Sequence, residues 1–320
     1  MTRPSRAVID LDALEFNYKA LRDQHGGRAF AVLKANAYGH GAVACAQKLE
    51  PIADAFAVAF LKEGLELRQA GIRKPILILE GAFDGDELHQ AAENDLWLSV
   101  HQTEQIDMLE REPSLCRPLS IWLKLDTGMN RLGLDPEKTR SYYDRLKTLD
   151  TVSAVGFMTH FARADEPECS LTKQQLTLFK QAIKGLDGEI SVCNSAGAMT
   201  LQDHGAHWAR LGIGLYGANP VESNATPLKP VMTLTSRVFS VKKILKGEQV
   251  GYGGTFVAER DSRIGMLAIG YADGYPRHAM AGPVWVDGQL TRIVGRVSMD
   301  MLAIDLSDFP NAGVGTEVEL

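Results

Sequence analysis

The sequence predicts an α/β protein in two parts: an N-terminal (β/α)8 barrel of the TIM type over residues 1–220, then a C-terminal, mostly β domain over residues 228–320. Two observations carry the barrel and one carries the second domain. Short apolar or β-branched runs alternate with stretches of helical periodicity eight times over about 210 residues, near the roughly 250 usual for such a barrel. Polar residues capable of chemistry gather where those runs end. From Leu228 onward the helical period gives way to alternation broken by turn pairs.

The elements follow in order. AFAVLKA from 29, AFAVAF from 55, PILILEG from 75 and WLSV from 97 are nearly continuous apolar runs, which is how strands buried on both faces read. SIWLKLD from 120, AVGFMTH from 154, EISVCNS from 189 and HWARLGIGLYG from 207 complete the eight. Between them, segments such as LKEGLELRQAGI and TKQQLTLFKQAIKGL return apolar residues at three and four places and close on glycine, as amphipathic helices do. Three prolines among small polar residues mark Asn219 to Pro230 as the hinge. Beyond it, VMTLTSRVFSVKKI, SRIGMLAIG and TRIVGRVSMDMLAIDL read as strands, with turns such as Lys246-Gly247 and Asp287-Gly288.

Composition bounds the function. At 45% hydrophobic and 23% charged, the 320 residues can bury a large core. A net charge of −6 with no stripe of Lys and Arg argues against nucleic acid and for a small-molecule partner. The start has no continuous apolar segment, and AFAVAFL is far too short to span a bilayer, so no membrane association and a cytoplasmic location are expected. The four cysteines, Cys45, Cys116, Cys169 and Cys193, show no paired spacing; they read as reduced structural thiols, and no metal site is expected.

In a barrel of this kind the carboxyl ends of the strands form the active face. Those ends carry Lys34, Lys124 with Asp126, His160, Asn194 with Ser195, and Arg210. Taken singly, a strand-end lysine is usually a solvated rim residue and a histidine beside phenylalanine a satisfied core group; their convergence points to a site. A lysine in a partly apolar mouth among other cations has its pKa pushed down and becomes a usable nucleophile or base. Such lysines form a Schiff base either with a substrate carbonyl or with pyridoxal phosphate, and a phosphate cradle decides between them. Ser195 offers a hydroxyl, and Gly212 with Ile213 offers backbone N–H groups. The cradle forms if LGIGLYG turns helical and is absent if that run continues as a strand.

VLKANAYGHG, KLDTGMNRLG, NSAG, RLGIGLYG, VGYGGTF, IGYADGYPR and VGRVSMDM, in this order through nearly the whole chain, resemble the bacterial alanine racemases. The resemblance implies a cofactor, pyridoxal 5'-phosphate, and a substrate, alanine, interconverted between its L and D forms in cell-wall or amino-acid metabolism. It also implies a head-to-tail homodimer whose active sites borrow residues from both chains. It makes Lys34 the residue that carries the cofactor and one of two catalytic bases, with Tyr38 reaching the cofactor phosphate. Tyr252, which alone reads as a hairpin-turn aromatic, resembles the opposing base. Inverting an α-carbon requires such a pair, one group on each face within hydrogen-bond reach. Arg210 resembles the arginine that bonds the pyridine nitrogen, and because a guanidinium keeps its protons that nitrogen stays unprotonated, which suppresses transamination. Arg131 resembles the residue near the phenolic oxygen and substrate carboxylate. Lys124 matches a lysine carbamylated in some members, an anion that would hold Arg131. His160 resembles the ring packed against the cofactor. Tyr271 and the backbone of Met299 resemble the substrate entrance and carboxylate contact, with Asp300 supporting that loop.

The family's C-terminal domain normally continues some tens of residues past the VEL at Leu320, with another tyrosine that touches the phosphate. A folded barrel, an unpaired sheet edge at TEVEL, weakened cofactor retention and low or absent racemase activity are therefore expected. Three rivals stand beside this reading. A pyridoxal-phosphate-binding homeostasis protein has the same barrel but lacks the β domain and a Tyr252 equivalent. A fold-related decarboxylase lacks the GYADGYPR and SMDM signatures. A broad-specificity amino-acid racemase differs only in pocket contacts.

Overall fold

The structure is a computed structural model that describes residues 3–221 and 226–320. It divides into two compact units, Asp10–Val231 and a second that joins the segment ending at Ile9 to Met232–Leu320. Residues 222–225 of the expected hinge lie outside the described residues.

The first unit is a closed barrel of eight parallel strands. After β1 (Arg6–Ile9), which belongs to the second unit, its strands are β2 (Arg28–Val32), β3 (Ala55–Val58), β4 (Ile76–Ile78) and β5 (Leu96–Val100). They continue with β6 (Leu119–Lys124), β7 (Val152–Met158), β8 (Ile190–Ser191) and β9 (Trp208–Leu211). Each overlaps one of the eight apolar runs. The ring closes where β2 pairs with β9, from Arg28↔Trp208 to Ala31↔Leu211. Near-total burial of β3 and β4 explains their unbroken apolar character, since helices cover one face and side chains fill the other. The interior is aromatic: Phe30 stacks on Trp208 at 4.5 Å and meets Trp122 edge-on at 5.5 Å, with Trp97 packed against them. These rings fill the middle of the barrel.

The second unit is antiparallel and includes β10 (Met232–Ile244), a small pair β11 (Gln249–Val250) and β12 (Phe256–Val257), and β13 (Ser262–Leu267). Then come β14 (Pro283–Val286), β15 (Gln289–Val294), β16 (Leu302–Asp305) and β17 (Glu317–Glu319). Two sequence expectations change here. The expected bound of 1–220 takes residues 6–9 into the barrel, but β1 pairs with β10 in register Arg6↔Thr235 to Ile9↔Met232, a partner more than two hundred residues away that no local pattern reveals. The terminal TEVEL reads as an unpaired edge, yet β17 pairs with β10 on one side and β14 on the other, so the sheet closes on itself. Val318 is buried in that core with Val238, Val284 and Val286. No helix among the described residues is long and apolar enough to cross a membrane.

Candidate active site

At the carboxyl ends of the barrel strands lies a cavity of about 330 Å³. Apart from Asp126, the site residues that the sequence placed in the barrel line it: Lys34 and Tyr38 after β2, Lys124 and Arg131 from β6 and its loop, His160 after β7, Asn194 and Ser195 after β8, and Arg210, Gly212 and Ile213 from β9 onward. Lys34, Lys124, Arg131 and Arg210 face Glu80 and Asp165, so the cavity carries an excess of positive charge.

The turn that follows Lys34 is left-handed. Ala35, Asn36, Ala37 and Tyr38 all sit at φ between 52° and 54°, a conformation that costs L-residues roughly 1–2 kcal/mol each. Its neighbours hold it there. Glu63 Oε1 accepts the Ala35 N–H at 2.6 Å, Asn36 Oδ1 accepts the Ala42 N–H at 2.8 Å, and the Ala37 N–H reaches the Leu33 carbonyl at 2.7 Å. The strain fixes Lys34 and Tyr38 on opposite ends of one turn facing the same cavity. Tyr38 is further held against the ring of Tyr216 at 4.7 Å, and Tyr216 donates its hydroxyl to the Val32 carbonyl at 2.8 Å.

LGIGLYG does turn helical, as a short 3-10 segment over Ile213–Tyr216. The cradle differs from expectation in one bond: the Gly212 N–H donates to Ser195 Oγ at 3.0 Å, as does the Gly214 N–H at 3.2 Å. Gly212 therefore contributes space rather than a donor. With Oγ accepting twice, the Ser195 hydroxyl keeps its proton for a ligand, beside the Ile213 N–H at the first position of the turn. Asn194 caps the helix Ser195–Thr200 by accepting the Gly197 N–H at 2.9 Å, which orients Ser195. A Cβ on Gly212 would stand 2.8 Å from the Tyr38 hydroxyl oxygen. Gly212→Ala should displace that hydroxyl and weaken phosphate-bearing ligands by about 1–3 kcal/mol, or roughly one to two decades of affinity. A titration with pyridoxal 5'-phosphate checks this, and unchanged affinity contradicts it.

Arg210 is buried, and four of its five N–H groups are spent. Nη1 donates to the Ser191 carbonyl and Oγ, both at 2.7 Å, and Nη2 donates to the Thr159 carbonyl at 2.6 Å and to His160 Nδ1 at 3.2 Å. Nε–H remains as the unspent donor. Burial and the nearby Arg131 lower its pKa to about 10, and it is still a cation at neutral pH. His160 is held well below its ordinary value by burial and by the charge of Arg210, so its ring is neutral and accepts at Nδ1.

The lysine whose amine is depressed is Lys124, only 7% exposed, and burial with the charges of Arg210, Arg131 and Lys34 takes it from 10.5 to about 8 despite the opposing pull of Glu80. Below pH 8 the folded state holds a desolvated cation at a cost. That cost is relieved as pH rises from 8 toward 10.5, where the unfolded chain binds the extra proton. In CO2-free buffer Lys124→Met should therefore stabilise the fold by about 3 kcal/mol at pH 7 and by under about 1 kcal/mol at pH 10. Denaturant melts at the two values check it, and a gain that is larger at pH 10 reverses the sign and contradicts it.

Asp126, grouped with the strand-end polar residues, faces its own loop instead. Its Oδ1 accepts the N–H groups of Gly128, Met129 and Asn130 at 3.0–3.1 Å, which folds the segment leading to Arg131.

Tyr252, Tyr271, Met299 and Asp300 belong to the second unit. Tyr252 is 68% exposed on a 3-10 turn, Tyr252–Gly254, that lies against Arg296. Tyr271 opens the turn Tyr271–Asp273, whose Tyr271 and Ala272 N–H groups reach the Ser298 and Met299 carbonyls at 3.1 and 3.0 Å. The Asp300 carbonyl accepts from Arg3 Nη2 at 3.0 Å, and Arg3 also pairs with Asp273 at 2.7 Å. The 296–300 loop thus gathers the tyrosine turns on one unit.

Sequence reasoning missed the residues that position the others. Glu63, Tyr216, Glu80, Ser191 and Thr159 each support a site group from another part of the chain. Only Glu63 left a trace, as an acid in the first turn of the helix Leu61–Gln69.

Comparison with known proteins agrees with the geometry. Residues 9–220 match the family described as alanine racemase, N-terminal domain, and residues 231–320 match alanine racemase, C-terminal domain. A protein named alanine racemase from Azoarcus sp. (strain BH72) is 54% identical over 99% of this chain and 90% of its own length. One named alanine racemase, catabolic, from Pseudomonas aeruginosa is 52% identical over the same shares. Among solved structures, biosynthetic alanine racemase from Pseudomonas aeruginosa superposes with a TM-score of 0.94 at 45% identity, covering 100% of this chain and 90% of that one. Alanine racemase from Bartonella henselae, solved with covalently bound pyridoxal phosphate, gives 0.89 at 29% identity over 100% of this chain and 90% of its own. By these matches along its whole length, the chain belongs to the alanine racemase family.

Proposed function

We propose that this chain interconverts L- and D-alanine with pyridoxal 5'-phosphate, using Lys34 and Tyr252 as bases on opposite faces of the α-carbon. One observation carries the cofactor: a lysine amine, an unspent Arg210 Nε–H and a hydroxyl-and-amide cradle around Gly212 share one cation-rich cavity. These residues suit a doubly anionic phosphate, a pyridine nitrogen and an aldehyde, and a relative binds that cofactor covalently. When bound, the cofactor supplies the electron sink that acidifies the substrate α-proton.

Each residue has a task. Tyr38, Ser195 and Ile213 would hold the phosphate, with Asn194 orienting Ser195. Arg210 would donate Nε–H to the ring nitrogen and keep it unprotonated. His160, neutral and anchored to Arg210, would pack against the cofactor ring. Lys34 would take or return the α-proton on one face. Tyr252 would do so on the other, arriving from the partner chain of a head-to-tail homodimer; its high exposure on a glycine-rich turn is what such a reach requires. Arg131 would attract the substrate carboxylate, steadied by Lys124. A depressed Lys124 amine can add to the carbon of CO2: the N–C bond forms as one C=O π pair moves onto oxygen, the amine proton leaves to solvent, and the resulting carbamate would pair with Arg131. Tyr271 and Met299 would form the substrate entrance, with Asp300 bracing the loop. The product would serve cell-wall or amino-acid metabolism in the cytoplasm.

The full chain with added pyridoxal 5'-phosphate tests the reading directly. Racemisation of alanine from either enantiomer, read by chiral chromatography, is the expected result. Tight cofactor binding without racemisation would mark a carrier, and equal turnover of bulkier amino acids would mark a broad-specificity racemase.

A further inference from the structure

A second cluster of reactive side chains lies outside the cavity just described. His25 ends the helix Leu11–His25 at 6% exposure, and neither of its ring nitrogens has a hydrogen-bond partner. Leaving such buried groups unsatisfied costs about 1–3 kcal/mol each, so a fold that keeps this residue here calls for something to bind it. His204 stacks on it with ring centroids 4.5 Å apart. Cys193, fully buried, follows β8 and immediately precedes Asn194. One nitrogen from each ring and the Cys193 sulfur all lie within 4.8 Å of one another.

We propose that His25, Cys193 and His204 form a buried site for one borderline-soft divalent cation, of which Zn²⁺ best fits two imidazole nitrogens and a thiolate. Tetrahedral coordination at ~2.1 Å for nitrogen and ~2.3 Å for sulfur sets the ligand atoms about 3.5 Å apart, so the three must draw in by roughly an ångström. Stacked rings do not aim their lone pairs at a common point. His204 must turn out of the stack, trading the Ala206 N–H that its Nδ1 accepts at 3.0 Å for the metal while Nε2 keeps its proton. It is half-buried on an irregular segment before β9, which permits that motion. As the Zn–S bond forms the Cys193 thiol releases its proton to solvent, two neutral imidazoles donate lone pairs, and nothing is oxidised or reduced. The fourth position is left open. Sequence spacing hid the site because its ligands come from the first helix, the end of β8 and the segment before β9.

The test uses the full chain with its cofactor, stripped by a chelator and titrated with Zn²⁺ against a chromophoric competitor. One tightly held Zn²⁺ per chain is expected. Because outer-shell changes alone cost roughly 10–100-fold in metal affinity, His204→Ala and Cys193→Ser should each weaken binding by more than about 100-fold. His204→Ala alters a half-buried residue outside the core, and circular dichroism verifies that both variants remain folded. Co²⁺ in place of Zn²⁺ should show a thiolate-to-metal charge-transfer band in the parent protein and none in Cys193→Ser. The proposal is overturned if stripped protein takes up no Zn²⁺ tightly, if both variants bind it as the parent does, or if the Co²⁺ spectrum lacks the thiolate band.

Discussion

Lys34→Ala is expected to lower alanine racemisation by about 10⁴-fold or more and to abolish covalent retention of pyridoxal 5'-phosphate, because in the proposed mechanism one amine would perform both tasks. Among the described residues the only other lysine in the cavity, Lys124, is 7% exposed at the end of β6 among the charges of Arg131 and Arg210, and cannot follow the left-handed turn that follows Lys34. Folding should survive, since the turn is held by Glu63, Asn36 and the Leu33 carbonyl rather than by the amine. Borohydride reduction of the parent protein followed by peptide mapping checks the assignment. A pyridoxyl group on Lys34 is expected, and a label on any other lysine sinks it.

Tyr252→Phe should reduce racemisation by about 10²–10⁴-fold, the span that a positioned acid or base contributes, while cofactor affinity stays within about twofold. The substitution removes only a phenolic oxygen. At 68% exposure on the Tyr252–Gly254 turn, the ring contributes little to folding, so loss of activity would not reflect loss of structure. Cofactor titration and a thermal melt accompany the rate measurement. A variant that racemises within tenfold of the parent would relegate Tyr252 to an aromatic on a turn.

Much of this was legible because barrel strands announce themselves. Helices cover one face and side chains fill the other, so AFAV and ILI carry no polar residue to blur the pattern, and the reactive groups stand at the first positions where polarity returns. Other features had no local signature. Nothing in KANAY announces the left-handed φ values of Ala35 to Tyr38, which are held by bonds to Glu63 and the Leu33 carbonyl. Gly212 offered an N–H to any sequence-based cradle; only the fold shows that Ser195 takes it and that the missing Cβ is what matters. The partners of β1 and β17 were equally hidden, since a strand's own alternation does not name the strand it joins.

The central claim is that two bases work from opposite faces, and proton exchange reads it most directly. In deuterated solvent, Tyr252→Phe should still incorporate deuterium at the α-carbon of the enantiomer whose proton faces Lys34, at a rate near that of the parent protein. Exchange from the other enantiomer should fall by about 10²–10⁴-fold. Equal rates of exchange from L- and D-alanine in that variant would contradict the account.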